Sequence, residues 1–253
     1  MDISTCTFSL SFLQPVPGIR RSAFDIEDRF KGKGYSTPFD VYSVPDEAPY
    51  EFPRISSATE NGHSILTVSA QSAQVQSRFD ENYSHDFGKS LDYSKKQADI
   101  LYQAISSMPG IKLAYSGVSA QVLVPLDEMI KGPADFIHDT YLKASSNLPM
   151  SDASVKLVYD VDSDFYLNLE VQRIVLSDPL SISVNSSGVS VTKRIVGQPE
   201  RLSVSVDFNN RLAFNEGRPL GCDESTIEVL YGRVGSFLTH GLEGFLKEGR
   251  VSF

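Results

Sequence analysis

The sequence contains few of the residues that build disulfide frameworks or metal sites. Its 253 residues include two cysteines, Cys6 and Cys222, and four histidines. Two cysteines supply neither a disulfide framework nor a zinc set, and the histidines are scattered without the spacing of metal ligands. We therefore interpret both cysteines as free thiols in a reducing compartment, and we expect no cofactor.

Long apolar runs and an N-terminal export signal are also missing. A membrane-spanning helix needs about 20 consecutive apolar residues, and no run in the sequence reaches that length. Residues 1–6 (MDISTC) lack the basic region followed by an apolar region that marks a secretory signal. We therefore expect no membrane contact and predict a cytoplasmic location.

Positive charge and catalytic motifs are scarce as well. The chain has 23 lysines and arginines against 32 acids, a formal net charge of −9. A general nucleic-acid binder needs a basic face, so we expect no direct contact with nucleic acid. The Gly-x-Ser-x-Gly nucleophile elbow is absent, and the glycine-rich residues 32–37 lack the order of a phosphate loop. These absences favour a binding protein over an enzyme without excluding an activity.

The acidic stretch from Ala153 to Leu176 has the longest strand-like pattern in the sequence. Apolar residues alternate along it, which is typical of strands with one buried and one solvent-exposed face. We predict two strands joined by a tight turn near Asp162-Ser163-Asp164, or one long bent strand. Between Asp152 and Asp178 there are six acids and two bases. The candidate interaction face consists of Asp160, Asp162, Asp164 and Glu170.

Three aspartates in this stretch match the start of an EF-hand calcium loop. Asp160, Asp162 and Asp164 occupy its first three ligand positions. The match then fails, because the sixth position is Phe165 instead of glycine and the twelfth is Val171 instead of glutamate. We therefore expect no metal site here and interpret the acids as exposed charges that deter pairing between sheets.

A metal-dependent hydrolase or nuclease is the alternative function. The carboxylates of Asp160, Asp162 and Glu170 would bind magnesium beside a lysine in such an enzyme. The position of that lysine is occupied by Gln172. The acidic composition also argues against a nuclease.

Alternation and helical periodicity predict strands and helices in both halves of the chain. The predicted strands lie at Thr5–Leu13, His63–Phe79 (as a hairpin), Ile111–Pro125, Leu180–Val184, Val189–Ile195 and Leu202–Phe208. The predicted helices are Ser22–Lys31, Ser94–Met108, Gly132–Lys143 and Ser225–Glu248. Capping-box pairs, Ser94 with Gln97 and Ser225 with Glu228, indicate where two of these helices begin, and Gly249 is the expected C-cap. A phase change at Gly117 predicts a β-bulge.

This order of elements predicts an α+β fold with mainly antiparallel sheet, backed by a few amphipathic helices and arranged in two similar α+β halves. The halves span residues 1–128 and 153–253, and residues 129–152 form a helical connection. One compact unit that includes all three parts is the alternative. Residues 37–62 contain four prolines and predict an irregular surface strap.

The closing residues 237–243 (FLTHGLE) follow a strand that contains Val206-Asp207-Phe208. This order resembles a sporadically distributed prokaryotic family of unknown function whose members share the length of this chain. Pro53-Arg54-Ile55 and the elements between Ser64 and Pro125 fit the same outline. Where the family has Arg-Tyr-x-Asn, the sequence has Ala114-Tyr115-Ser116-Gly117. The family has no established activity, and the resemblance implies a bacterial or archaeal cytoplasmic origin.

Together these features favour a non-enzymatic protein-binding or accessory protein of a prokaryotic system, antitoxin-like or linked to defence. An acidic face attracts a basic partner through steering and charge pairing. We therefore expect a protein partner, with a basic one favoured. The sequence leaves open whether the chain also forms a homo-oligomer.

Overall fold

One antiparallel sheet of nine strands organises the protein. The structure, a computed structural model, describes residues 1–45, 47–125, 132–142, 150–175, 181–185, 188–192, 200–218 and 221–253. The strands are β1 (Asp2–Phe12), β2 (Asp40–Val41), β3 (Pro53–Ala58), β4 (Ser64–Ser69), β5 (Ser72–Arg78), β6 (Leu113–Pro125), β7 (Ser154–Val161), β8 (Phe165–Val175), β9 (Ser181–Asn185), β10 (Gly188–Thr192) and β11 (Glu200–Asn209). Across the sheet the order is β2-β3-β4-β5-β1-β6-β11-β8-β7, and β9 pairs with β10 in a separate hairpin.

Most of the helices cover one face of this sheet, and the short helix α5 (Arg211–Asn215) lies on the other face. They are α1 (Ala23–Phe30), α2 (Glu81–Ser84), α3 (Phe87–Ser106), α4 (Pro133–Ile137), α5 (Arg211–Asn215), α6 (Glu224–Ser236) and α7 (Leu242–Glu248). The two long helices lie side by side, α3 on β1 and β5 and α6 on β6 and β11. This arrangement of strands and helices confirms the predicted α+β fold with an antiparallel sheet.

Alternation along the strands separates the core from a second, open face. In β1, Cys6, Phe8 and Leu10 are fully buried under the helices, while the residues between them stay partly exposed. The same period of two holds in β5, β6, β8 and β11. The other side of the sheet, called the open face below, is polar; it carries Thr5, Thr7, Ser9, Gln74, Gln76, Ser119, Gln121, Lys156, Asn168, Glu170, Ser205 and Asp207.

The connectivity of the sheet repeats on either side of the β1–β6 pair. Outward from β1 the neighbours are β5, β4 and β3, with the two-residue strand β2 beyond them, and outward from β6 they are β11, β8 and β7. The repeat comprises the three longer strands on each side. In both sets the first strand in sequence lies farthest out and the last lies nearest the pair, and a long helix follows, α3 in one and α6 in the other. One sheet and one hydrophobic cluster therefore include residues of both halves. The similarity of the halves beyond connectivity stays a prediction.

Several predicted elements are confirmed with shifted ends. The hairpin at His63–Phe79 is β4 and β5, and the hairpin after Leu180 is β9 and β10. The helix predicted from Gly132 is α4, which continues as a π-helical turn to Leu142. Gly249 is the C-cap of α7, with φ at 68° and its N–H donating to the carbonyl of Phe245 (2.9 Å).

The predicted start of α3 is wrong. The helix begins at Phe87 because Asp86 is its N-cap and accepts a hydrogen bond from the N–H of Lys89 (2.9 Å). Ser94 instead lies inside the helix, where its hydroxyl is buried against the Tyr231 hydroxyl (2.8 Å). A capping-box spacing inside a helix is thus coincidental here, because an upstream aspartate caps the first turn.

The closing helix also differs from the prediction. It begins at Glu224 with Asp223 as N-cap, whose carboxylate accepts from the N–H of Thr226 (2.7 Å), so the Ser225–Glu228 capping box is wrong. A π-helical segment, Phe237–Gly241, then separates α6 from α7. The apolar stripe continues through this wider turn, which is why the sequence pattern predicts one unbroken helix.

The predicted β-bulge at Gly117 is absent. Gly117 pairs with Ser9 and with Asn209 without a shift in register. A Cβ atom at this position would lie 2.8 Å from Cβ of Asn209, so the glycine permits a close approach of two strands. The register of β6 against β1 shifts instead between Tyr115 and Leu113, opposite Ser11 and Phe12. Tyr115 lies on the open face, where its ring packs on Phe214 of α5 (centroids 5.6 Å apart).

Candidate functional site

The acidic stretch forms the β7–β8 hairpin at one edge of the sheet. The N–H of Asp164 donates to the carbonyl of Val161 (3.2 Å), and Asp162 and Ser163 have φ values of 51° and 61°. Positive φ at both central positions defines a type I′ turn, whose twist matches that of a hairpin. The prediction of two strands joined by a tight turn is confirmed. Within the described ranges, no strand pairs with the outer side of β7.

Two of the four candidate acids are engaged by arginines of the same chain. Asp162 forms an ion pair with Arg233 of α6. Asp164 accepts from Nη1 of Arg218 (2.6 Å), and Nη2 of that arginine also donates to Glu216 (2.5 Å). The negative charge of the turn is therefore compensated locally. These pairs are partly exposed, so each contributes little to stability.

The other two candidate acids stand on the open face without an ion-pair partner among the described residues. Asp160 lies opposite Tyr166, and Glu170 lies opposite Lys156 in the β7–β8 ladder. Tyr166 precedes Glu170 by four residues, so the two acids are separated by about 13 Å along the hairpin. Carboxylates that bind one cation, each at about 2.0–2.6 Å, lie close together, whereas the backbone of this ladder holds Asp160 and Glu170 four residues apart.

The β7–β8 hairpin, which the structure describes in full, therefore shows no set of converging side chains that would bind a metal ion. Across the parts of the chain that the structure describes, no three His, Cys, Asp or Glu residues converge to hold a metal ion. The carboxylates of the hydrolase alternative, Asp160, Asp162 and Glu170, divide between the open face and the turn. The geometry offers them no common reacting centre.

A cleft of about 330 Å³ opens on the polar side of the sheet, between β7, β8, β11 and α5. Strand register places Val158, Asn168 and Asp207 next to one another across its floor. Its lining consists of Lys156, Val158, Tyr166, Asn168, Asp207, Asn209, Arg211 and Asn215. This group of residues is called the Asp207 cleft below.

The carboxyl group of Asp207 is held by two amides. Its Oδ2 accepts from Nδ2 of Asn168 (3.0 Å), and Nδ2 of Asn209 is 3.3 Å from each carboxyl oxygen. Burial raises the pKa of Asp207, and the amide hydrogen bonds and the charge of Lys156 offset only part of that effect. Among the described residues, no cation lies within ion-pair distance of this carboxyl group.

Two basic side chains line the same cleft. The guanidinium of Arg211 lies over the ring of Tyr115, 5.5 Å from its centroid. Lys156 extends from the edge strand β7. Oδ1 of Asn209 accepts from the N–H of Arg211 (3.2 Å), so the amide that holds Asp207 also fixes the first turn of α5.

The sequence shows only part of this cleft. The alternation in β11 places Asp207 on the solvent-exposed face, and Asn209 two residues later shares that face. Asn168 lies 39 residues away in sequence from Asp207. Only strand pairing brings these three side chains together. A single aspartate in a predicted strand is therefore not enough to predict this site from the sequence.

The thiols are confirmed as free and buried. Burial raises the pKa of Cys6 and of Cys222 to about 11. A thiol with this pKa stays protonated at neutral pH and is a poor nucleophile. Neither cysteine is therefore arranged for covalent catalysis.

No protein-family model matches the chain, and no curated protein matches it. The resemblance to a prokaryotic family of unknown function stays a prediction. In the part of the chain that the structure covers, no helix combines the length and apolar character needed to cross a membrane.

Proposed function

We propose that the chain is a non-enzymatic protein-binding or accessory protein whose acidic sheet edge receives a basic partner. The observation that carries this proposal is the position of the acidic hairpin: β7 is the outermost strand of the sheet in the part of the chain that the structure describes. An edge strand offers a row of backbone N–H and C=O groups to which an extended segment of another protein can pair. Val158, in the middle of this strand, is 54% exposed and adds apolar area for contact.

Charge supports a basic partner. The chain carries a net charge of −9, and Asp160 and Glu170 have no ion-pair partner in the described parts of the chain. Unpaired carboxylates beside an open strand edge steer a basic protein toward it and repel an acidic one. Asp162 and Asp164 extend the acidic surface to the turn, where their arginines can exchange partners on binding.

An antitoxin-like or defence-linked role in a prokaryotic system is the setting we propose for this edge. A basic surface that binds nucleic acid is complementary to an acidic strand edge, and covering it blocks the nucleic acid. Binding, without a chemical step, is the function we propose for this edge.

Mutagenesis of the unpaired acids tests the proposal. Partners are captured from the native host at low salt with wild-type protein and with the double variant Asp160→Asn/Glu170→Gln. The matched control, Asp25→Asn/Glu81→Gln, removes the same charge from exposed acids on α1 and α2. We expect a basic protein that binds wild type and the control equally and the double variant roughly tenfold more weakly, with affinity falling as salt rises.

The same experiment can contradict the proposal. An acidic partner, or a partner whose affinity is equal for all three proteins, would place the interaction elsewhere. A Val158→Lys variant adds an independent check, because it adds positive charge and removes apolar contact at the centre of β7. Unchanged binding by that variant would exclude the strand edge.

A further inference from the structure

The Asp207 cleft combines hydrogen-bond acceptors and cations that the protein itself leaves unused. Nδ2 of Asn168 donates to Asp207, and the carbonyl oxygen Oδ1 of the same amide has no partner among the described residues. Within the same ranges, Oδ1 of Asp207 accepts only from Asn209, which leaves one of its lone pairs free. Two residues that line the cleft therefore keep unused acceptor atoms, which suits a ligand group with N–H donors.

Lys156 and Arg211 give the other half of the cleft the opposite chemistry. Neither side chain forms an ion pair within the described ranges, and both line the cleft that contains Asp207. An ammonium and a guanidinium at one site bind carboxylate or phosphate groups through charge-assisted hydrogen bonds. With one acid and two bases, the lining favours a ligand that carries an anionic group as well as N–H donors.

Keeping a carboxyl group at Asp207 costs the folded protein free energy of hydration. A carboxyl group that is largely buried loses hydration, and the sheet needs no carboxylate at this position. Elsewhere on the open face, Ser119 opposite Asp207 on β6 and Ser205 on β11 itself carry small neutral side chains. Asn209 reaches Asp207 at a point where only glycine, Gly117, fits on the adjacent strand. These features indicate a built site rather than an incidental surface charge.

We propose that the Asp207 cleft binds a small ligand in which an N–H donor group contacts Asp207 and Asn168 while an anionic group contacts Lys156 and Arg211. Tyr166 and Val158 supply an apolar wall, and a volume of about 330 Å³ lies at the lower end for small-molecule sites. Two kinds of metabolite share this chemistry: a free α-amino acid and a nucleoside monophosphate. The cleft does not depend on the protein partner proposed for the β7 edge.

Titration calorimetry with purified protein tests this proposal and separates the two sources. One arm uses the four ribonucleoside monophosphates, and the other uses the twenty L-amino acids, each at millimolar concentration and without any protein partner. We expect one arm to show one-to-one binding. Asp207→Asn and Lys156→Gln should each weaken that binding roughly tenfold or more, because each removes a hydrogen bond to a charged group.

The control variant is Lys33→Gln, which removes an exposed lysine outside the cleft and should bind as wild type does. Lys156 is itself exposed, so its variant keeps the test valid if Asp207→Asn folds poorly. No binding in either arm would overturn the proposal. So would binding that Asp207→Asn and Lys156→Gln leave unchanged. Either failure leaves the edge-strand function standing, because that function is measured with a protein partner.

Discussion

Replacing Gly117 by alanine tests the close approach of β6 and β11 beneath the Asp207 cleft. The added Cβ atom would lie 2.8 Å from Cβ of Asn209 and 3.4 Å from the carbonyl oxygen of Phe208. Both neighbours belong to, or are attached directly to, the backbone of β11. Rotation of a flexible side chain cannot relieve the overlap, so the two strands have to move apart.

The expected cost follows from this geometry. Forcing extra volume into a packed region typically costs about 1–3 kcal/mol. The matched control is Gly232→Ala in α6, because an added Cβ atom there would have no neighbour within 4 Å and the site is exposed. Alanine in an exposed helix interior should stabilise by about 1 kcal/mol relative to glycine. The same chemical change should therefore have opposite signs at the two positions.

Urea unfolding of wild type and both variants measures this difference, provided that the m values agree. Gly117→Ala should lower the midpoint and Gly232→Ala should raise it. Gly117→Ala should also weaken ligand binding in the Asp207 cleft, since Asn209 moves. A neutral or stabilising Gly117→Ala, alongside a stabilising control, would refute the close approach of β6 and β11.

Two further predictions concern the core and pH. Phe237→Ala should lower the free energy of unfolding by about 3–5 kcal/mol, because the fully buried ring packs on Phe245 and Phe253 (centroids 6.1 Å apart in each pair). The control Glu243→Ala, on the exposed side of the same segment, should leave the urea midpoint unchanged. Equal shifts would contradict this packing. Burial raises the pKa of Asp207 in the folded protein above its usual value of 3.8. The stability that the protonated carboxyl group contributes is therefore complete below pH 3.8 and is lost as the pH rises through the folded-state pKa. The melting temperature of Asp207→Asn relative to wild type should therefore be higher at neutral than at acidic pH; a pH-independent difference would show that Asp207 is not desolvated.

Sequence periodicity predicts the fold well where local chemistry decides the structure. Alternation in β1, β8 and β11 identifies the buried side of each strand, because a period of two follows from strand geometry alone. The turn at Asp162-Ser163 is equally local. Helix starts are less predictable, because Asp86 and Asp223 compete with the downstream serines as N-caps. The sequence pattern does not reveal the short strands β2 and β3 in the proline-rich residues 37–62, since these strands depend on pairing with each other and with β4.

The candidate sites depend on contacts that no local pattern contains. Arg233 forms an ion pair with Asp162 from 71 residues away in the sequence. This pairing compensates negative charge that the sequence alone presents as free. Strand order places the acidic hairpin at the sheet edge, and antiparallel register brings Asn168 to Asp207. The sequence by itself therefore determines, in the regularly alternating strands, which side faces the core. Tertiary structure alone decides which exposed residues meet, because long-range strand pairing and helix docking set those distances.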